Sequence, residues 1–247
     1  MNFFDQADFE VRCDWGMQGV LRLAPISDVV VIVDVLSFST CVDVICGRGA
    51  MAMPFRRKIA FPYQWRDDSV SAFAQSVNAE VAQRRGSGRY SLSPASLLSV
   101  DSNTRLVLPS PNGSTLSLAT ARTPTLAGCL RNCRAVALAA MTYRNRIAVI
   151  PAGEKWPDGS LRPSFEDLVG AGAVISYLKG ALSPEARLAS EAFRGVRQSL
   201  GDSIKQCGSG QELVKKGYEQ DVELALEVNV SDCVPALVNG AYANNAR

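Results

Sequence analysis

Apolar β-branched residues arrive along this chain in short unbroken bursts, and each burst ends in a polar turn. Val29-Val-Val-Ile-Val33 is the clearest, and it meets a single carboxylate, Asp34, followed by hydroxyls at Ser37, Ser39 and Thr40. A continuous apolar run of this length suits a strand buried on both faces, as in a parallel sheet. A helix is predicted next, over Cys41 to Arg48. The same theme returns as Thr104–Leu108, the turn Pro109–Ser114 and a helical pattern over Thr115–Ala121. It returns again as Arg146–Ile150, a long turn through Glu154 to Pro163, and a helical pattern over Ser164–Lys179. Ala135–Ala140 reads as a further short buried strand. This alternation predicts an α/β domain with a largely parallel sheet and helices on both faces.

Between and beyond these units the pattern is helical. Ser69–Gln83 reads as a helix, and Arg84-Arg-Gly-Ser-Gly-Arg-Tyr-Ser91 as a loop. Glu185–Leu200 places Leu188, Ala192, Phe193, Val196 and Leu200 on one face, and Gln211–Val228 continues helical with a break at Gly217. These are core-facing amphipathic helices. Gly208-Ser-Gly210 reads as the loop between them. No repeat of fixed period divides the chain, so residues 1–247 are expected to form one α/β domain, divisible at most into two subdomains.

Composition narrows the chemistry. The chain has 247 residues, 47% of them hydrophobic and 20% charged, which is ordinary for a globular protein with a full core. A net charge of +2 leaves no electrostatic footprint for nucleic acid or an anionic membrane. The longest apolar run falls far short of the roughly 20 residues a spanning helix needs. The segment Met1–Glu10 is acidic and lacks the basic-then-apolar order of a secretory signal, so a cytoplasmic location is the default expectation. Seven cysteines, an odd number in mostly apolar surroundings, read as reduced structural thiols. The chain has no histidine. That absence removes Ser-His and Cys-His nucleophile systems, His-ligated zinc and histidine general bases together. Catalysis would rest on carboxylates, hydroxyls, thiols, amines, backbone N–H groups or a hard metal ion.

Three strand-end segments could carry it. In open α/β sheets the ligand crevice lies beyond the carboxyl ends of the strands, where Asp34 falls; capping the next helix is the other role open to it. Ser110-Pro-Asn-Gly-Ser114 precedes a helix, and Asn-Gly favours left-handed backbone that turns N–H groups toward one point, a seat for phosphate. An ordinary Asn-Gly turn with Ser114 as N-cap fits those residues too. Ser164-Phe-Glu-Asp167 has the form of a capping box, which occupies one of Glu166 and Asp167 and leaves the other to face the crevice. Glu154 adds an acid on the same edge. Acids converging there suit Mg²⁺, which takes oxygen ligands and keeps waters and substrate phosphate in its shell; solvated or structural charges remain the other reading.

Familiar hydrolase patterns are absent. A haloacid-dehalogenase-type site needs a second Asp two residues after Asp34, where Leu36 stands; no Cys has an Arg six residues later; and neither G-x-S-x-G nor G-x-x-x-x-G-K-[ST] occurs.

Taken in order, however, the segments resemble one family. Val33-Asp-Val-Leu36 with the Ser/Thr pair after it, Ser110-Pro-Asn-Gly-Ser114, and Leu130-Arg-Asn132 ahead of the predicted short strand come first. Ala152-Gly153, Glu166-Asp167 leading into Gly170-Ala-Gly172, Gly217, Asp221 and Asp232-Cys-Val-Pro235 follow. The sequence is similar to the 2-phosphosulfolactate phosphatases, magnesium-dependent acid-type phosphatases of the coenzyme M route, over most of its length. The resemblance implies a three-layer α/β/α fold with a largely parallel or mixed sheet, and a phosphomonoester hydrolase that uses Mg²⁺. It implies Asp34, Glu166 and Asp167 as catalytic or metal-binding acids; Glu154, placed on the same edge by its position after the strand, is expected to join them at the metal. It implies that Asn112, Gly113 and Ser114 cradle the phosphoryl group, with Ser39, Thr40 and Arg131 also on the substrate. The family carries Arg after its Val-Leu pair, where this chain has Ser37, and Ser cannot replace that charge. Arg131 and Arg162 are the candidates to supply it, and the sulfonated substrate is the part of the resemblance this departure touches.

The expected function is hydrolysis of a small anionic phosphomonoester, 2-phosphosulfolactate or a related phosphorylated hydroxy acid. The alternative is a non-catalytic phosphoester-binding protein on the same scaffold. A thiol-dependent enzyme is a third reading, for which no cysteine has an evident activating base. A homodimer is the expected assembly.

Overall fold

A computed structural model describes residues 3–56 and 68–245; Met1 and Asn2, at the head of the acidic N-terminal segment, lie outside the described residues. Strand β1 (Val11–Cys13) and helix α1 (Gly16–Leu23) lead into β2 (Val29–Val33), whose five residues are all buried. Next come α2 (Phe38–Gly47), β3 (Met51–Arg56), α3 (Asp68–Ser76), β4 (Glu80–Val81), β5 (Arg105–Ser110) and α4 (Gly113–Ala119). The chain continues through β6 (Thr125–Gly128), α5 (Cys133–Ala140) and β7 (Ile147–Pro151) to a small hairpin of β8 (Glu154–Lys155) and β9 (Leu161–Arg162). Five helices follow: α6 (Phe165–Ile175), α7 (Pro184–Val196), α8 (Leu200–Gln206), α9 (Gly208–Lys215) and α10 (Glu219–Leu226). Strands β10 (Pro235–Val238) and β11 (Ala241–Asn244) close the chain.

The main sheet is mixed, in the order β1-β7-β2-β6-β10-β11-β3-β5-β4. Neighbours are parallel within β1-β7-β2-β6 and within β3-β5-β4. The β10–β11 hairpin joins these two blocks through antiparallel contacts to β6 and β3. Strand β2 shows why its sequence lacks alternation. Val29, Val31 and Val33 pack with α5, α6 and α7, while Val30 and Ile32 pack on the other face against Val20, Leu23 and Leu116 of α1 and α4. Both faces are apolar because both are covered, and the result is helices on both sides of an α/β sheet. The β3–β5 block repeats the device, with Ala52, Leu106 and Leu108 facing α2 and Met53 and Val107 facing α3. Close packing reaches backbone contact where α6 crosses α7: a Cβ at Gly172 would lie 1.9 Å from the Ala189 carbonyl oxygen, so only glycine fits.

Sheet curvature sets the site. Strands β2 and β5 are five steps apart in the sheet, about 24 Å if it were flat. Yet the Gly113 N–H, at the head of α4, donates to the Asp34 carboxylate at 2.8 Å. The twist and coil of the sheet therefore bring the carboxyl ends of the two blocks together.

Several local expectations are corrected. Ala135–Ala140 lies in helix α5, not in a strand; a six-residue apolar run has no period that separates the two, and alanine favours helix. The strand of that unit is β6, which lies before Leu130-Arg-Asn132. The Ser69–Gln83 pattern splits, α3 ending at Ser76 and Glu80–Val81 joining the sheet edge beside β5. Gly208-Ser-Gly210 is the first turn of α9, with the Cys207 Sγ accepting from the Gly210 N–H at 3.5 Å. Helix α6 ends at Ile175, before the predicted Lys179. Among the described residues no helix is long and apolar enough to cross a membrane.

Candidate active site

Asp34 leaves β2 at the point where three elements meet. Its Oδ1 accepts from the Phe38 N–H (3.3 Å) at the start of α2, and its Oδ2 from the Gly113 N–H. That second bond needs a glycine, because a Cβ at position 113 would stand 2.2 Å from the Phe38 ring and 2.7 Å from Asp34 Oδ2. The hydroxyls that follow Asp34 brace its loop. Ser39 Oγ donates to the Asp34 carbonyl and accepts from its N–H, both at 2.8 Å, and Thr40 Oγ1 donates to the Val35 carbonyl at 2.7 Å.

Asp167 is a staple. Its Oδ1 accepts from the Val35 N–H (2.7 Å), and its Oδ2 from the Gly153 N–H (2.9 Å) and the Ser164 hydroxyl (2.7 Å). The predicted capping box is thus replaced by a bond between its two side chains, and Ser164 makes no side-chain cap. One buried carboxylate ties α6 to the turn after β2 and to the turn after β7. Glu154, in that second turn, accepts from Asn112 Nδ2 through Oε2 at 2.9 Å. Glu166 is buried and accepts from the Cys207 thiol through Oε2 at 3.3 Å. Neither glutamate's Oε1 takes a hydrogen bond from a described residue.

These four acids act on one another. Burial pushes Asp34 up to about 6; the N–H groups of Gly113 and Phe38 oppose this, and the charge of Glu166 adds to it. Burial and then the charge of Asp34 push Glu154 up to about 7, against the Asn112 hydrogen bond and with a further push from Glu166. Burial, with Asp34 and Glu166 close by, holds Asp167 well above the usual carboxylate range. No arginine or lysine among the described residues forms an ion pair with any of the four. The charges of Arg85 and Arg162 lower the pKa of Asp34 and Glu154 without pairing with them, and clustered acids left without an ion-paired cation are an arrangement that a cation or a proton completes.

The donor set fits a hard divalent ion. Among the described residues no three acids or thiols stand close enough to ligate one ion by themselves. Mg²⁺ does not require three, since one or two carboxylates hold it while waters and substrate phosphate fill its octahedral shell.

The other expected site residues are placed differently from one another. Ser114 is fully buried and turned inward, its hydroxyl donating to the Leu108 carbonyl at 2.6 Å, while the Gly113 N–H already serves Asp34. In the Ser110–Ser114 turn the Asn112 amide and the Gly113 N–H therefore serve the protein's own carboxylates, and the Ser114 hydroxyl serves a backbone carbonyl. Arg131 is clamped elsewhere: Nε donates to Asp43 Oδ2 at 3.0 Å, and Nη1 to the Leu224 carbonyl and to Glu227. Arg162 donates to Ser209 Oγ at 3.1 Å, lies 5.7 Å from the Trp156 ring centroid and is among the charges that lower the Glu154 pKa.

One residue was not anticipated. Arg85, in the segment predicted only as a loop, donates through Nη2 to Ser37 Oγ at 2.6 Å and through Nε to Asp221 Oδ2 at 3.2 Å. A guanidinium therefore touches the position where the resembled family carries one, but it comes from 48 residues further along the chain. Asp221 was singled out by the resemblance alone, and its long-range partner leaves no periodic or spacing signal in the sequence.

Space for a small molecule lies beside Asn112 and Glu154, in a cleft of about 390 Å³ that Trp15, Gln18, Arg56 and Lys155 also line. This is within the usual size of small-molecule sites. A larger hollow, about 540 Å³, lies against the β10–β11 hairpin and is lined by no carboxylate. Thiol chemistry has little support: burial raises the pKa of all seven free cysteines, Cys207 up to about 12 even beside the site. A thiol so held is neutral near pH 7 and is not an activated nucleophile.

Comparison with known sequences bears on this arrangement. The profile of the family described as 2-phosphosulpholactate phosphatase matches residues 20–240. The chain is 30% identical over 135 residues to the 2-phosphosulfolactate phosphatase of Methanothermobacter thermautotrophicus, covering 55% of this chain and 57% of that protein. It is 31% identical to a probable 2-phosphosulfolactate phosphatase of Carboxydothermus hydrogenoformans, over 53% of this chain and 54% of that protein. A probable 2-phosphosulfolactate phosphatase of Thermotoga petrophila is 35% identical over 33% of this chain and 36% of its own length. The chain spans about half the length, or less, of these curated relatives in the matched regions.

Proposed function

The chain belongs to the 2-phosphosulpholactate phosphatase family, and from this and its acid cluster we propose that it is a Mg²⁺-dependent phosphomonoesterase. Its substrate class is a small phosphorylated hydroxy acid, 2-phosphosulfolactate or a relative of it. The observation that carries the proposal is the group of buried Asp34, Glu166 and Asp167 with half-buried Glu154. Burial and neighbouring acids raise the pKa of Asp34, Glu154 and Asp167, and none of the four acids forms an ion pair with a described residue.

Roles follow from which oxygens are committed. Asp167 takes three hydrogen bonds, two of them on Oδ2, and is assigned to positioning the other acids; Asp34 takes one on each oxygen and keeps a lone pair on each. Asp34 and Glu166 are the ligands proposed for Mg²⁺, which when bound neutralises charge on the phosphoryl oxygens and orients water. Glu154, held by Asn112, is placed to take a proton. Its Oε1 takes no hydrogen bond from a described residue, and in the metal-free protein burial and the charge of Asp34 raise its pKa to about 7. In the hydrolysis, water attacks phosphorus while Glu154 accepts its proton. The bond from phosphorus to the ester oxygen breaks, and the alcohol oxygen leaves with the electron pair and takes a proton from solvent water, while the proton on Glu154 returns to solvent. Ser39 and Thr40 brace the loop that carries Asp34, and Gly113 supplies the N–H that sets its angle.

Ser37, standing where the resembled family carries Arg, favours a second reading, in which the scaffold binds phosphoesters without turning them over. Phosphate release from 2-phosphosulfolactate and other phosphorylated hydroxy acids decides between them. The phosphatase reading expects release that depends on Mg²⁺ and stops with a chelator. Saturable ester binding with no phosphate released would establish the second reading in its place.

A further inference from the structure

We propose that Arg85 is the receptor for the acid group that the substrate carries in addition to its phosphoryl ester, an inference that rests on the phosphatase reading of this site. A guanidinium has five N–H donors in a planar fork. Two of these five are engaged here, by Asp221 Oδ2 and by Ser37 Oγ. The other three make no hydrogen bond to a described residue, and the side chain is 24% exposed. Arg85 is thus held along one edge and open along the other.

The anchor cannot follow it outward. Asp221 is 1% exposed, and its Oδ1 is fixed by the Ser93 hydroxyl at 2.5 Å and the Ala95 N–H at 3.1 Å. Tyr218 adds a ring face 5.7 Å from the guanidinium carbon. Such a fork is ordered before any ligand arrives, which lowers the entropy lost on binding an anion.

Its position selects which anion. Ser37, which it touches, directly precedes Phe38, whose N–H donates to Asp34. Arg85 is also among the charges that act on Asp34, so it stands near the acid cluster on the α10 side, while Asn112, just before α4, holds Glu154. A phosphoryl group at the acids leaves the carboxylate or sulfonate of the same small molecule within reach of Arg85. Arg131 cannot do this while Asp43 and Glu227 enclose it.

The test compares 2-phospholactate with isopropyl phosphate, two esters that differ only by a carboxylate in place of a methyl group. In Arg85→Met, kcat/KM for 2-phospholactate is expected to fall about 10- to 150-fold, the range for losing a hydrogen bond to a charged group. The value for isopropyl phosphate is expected to fall several-fold less. Equal losses for the two esters, or no loss for either, overturn the inference. If wild type hydrolyses neither ester, the phosphatase reading has failed by itself. Calorimetric Kd values for the same pair then replace kcat/KM, and wild-type binding of neither ester overturns the inference as well. Thermal melting checks the fold, and Arg85→Gln repeats the comparison if Arg85→Met does not fold.

Discussion

The two ends of α2 each carry a buried aspartate, and they are built in opposite ways. Asp43, 1% exposed, lies in the helix's second half and meets Arg131 at 3.0 Å and the Ser231 hydroxyl at 2.6 Å. Asp34, 6% exposed, precedes the helix, accepts from two N–H groups and interacts electrostatically with Glu154, Glu166 and Asp167. Burial raises the pKa of both; at Asp43 the Ser231 hydroxyl and the paired Arg131 guanidinium oppose it, whereas at Asp34 two N–H groups and the charge of Arg85, which does not pair with it, oppose it while Glu166 adds to it. A buried carboxylate that serves the fold is supplied with its countercharge by the chain. At Asp34 the chain supplies no ion-paired cation, only the charge of nearby Arg85, and the site is left for a ligand to complete. The pair Arg85–Asp221 sits between these cases, with its acid locked and its guanidinium open on one edge.

The largest test of this contrast is to remove one group from each end. Arg131→Ala leaves Asp43 buried and unpaired and is expected to destabilise the protein by about 3–5 kcal/mol in denaturant unfolding. Metal-free Asp34→Asn at pH 7.5 is expected to be at least as stable as wild type, because it removes a repulsion. Comparable destabilisation by the two variants would erase the distinction.

A smaller effect follows with pH. Asp34 rises from 3.8 to about 6 and Glu154 from 4.5 to about 7 on folding, so between those values the native state binds more protons than the unfolded one. Stability from these groups is therefore fully present below about pH 4 and is lost as pH rises toward 7. Thermal melting of metal-free wild type should show that fall relative to Asp34→Asn, and added Mg²⁺ should raise the Tm more at pH 7.5 than at pH 5. A Mg²⁺ effect independent of pH would contradict it.

How much of this the sequence shows depends on how local each signal is. Val29–Val33 with Asp34 is legible because a strand covered on both faces must be apolar throughout, and the acid marks where it ends. Helix α5 is not, because Ala135–Ala140 is too short and too uniform for a period to separate helix from strand. Ser164 and Asp167 stand at capping-box spacing, yet the partner that defines Asp167 is the Val35 N–H, 132 residues away. Arg85 is harder still: it lies 136 residues from Asp221, and only the coiled sheet and α10 bring them together. The acids of the site could be named in advance, but the assignment of its arginine depended on the fold.

Calorimetric titration of Mg²⁺ into metal-free protein at pH 7.5, wild type beside Asp34→Asn, tests the missing countercharge most directly. Saturable binding by wild type that is lost in Asp34→Asn is the result predicted. No binding by wild type, or equal binding by the two, would contradict the claim that the acids at the head of α2 await a cation.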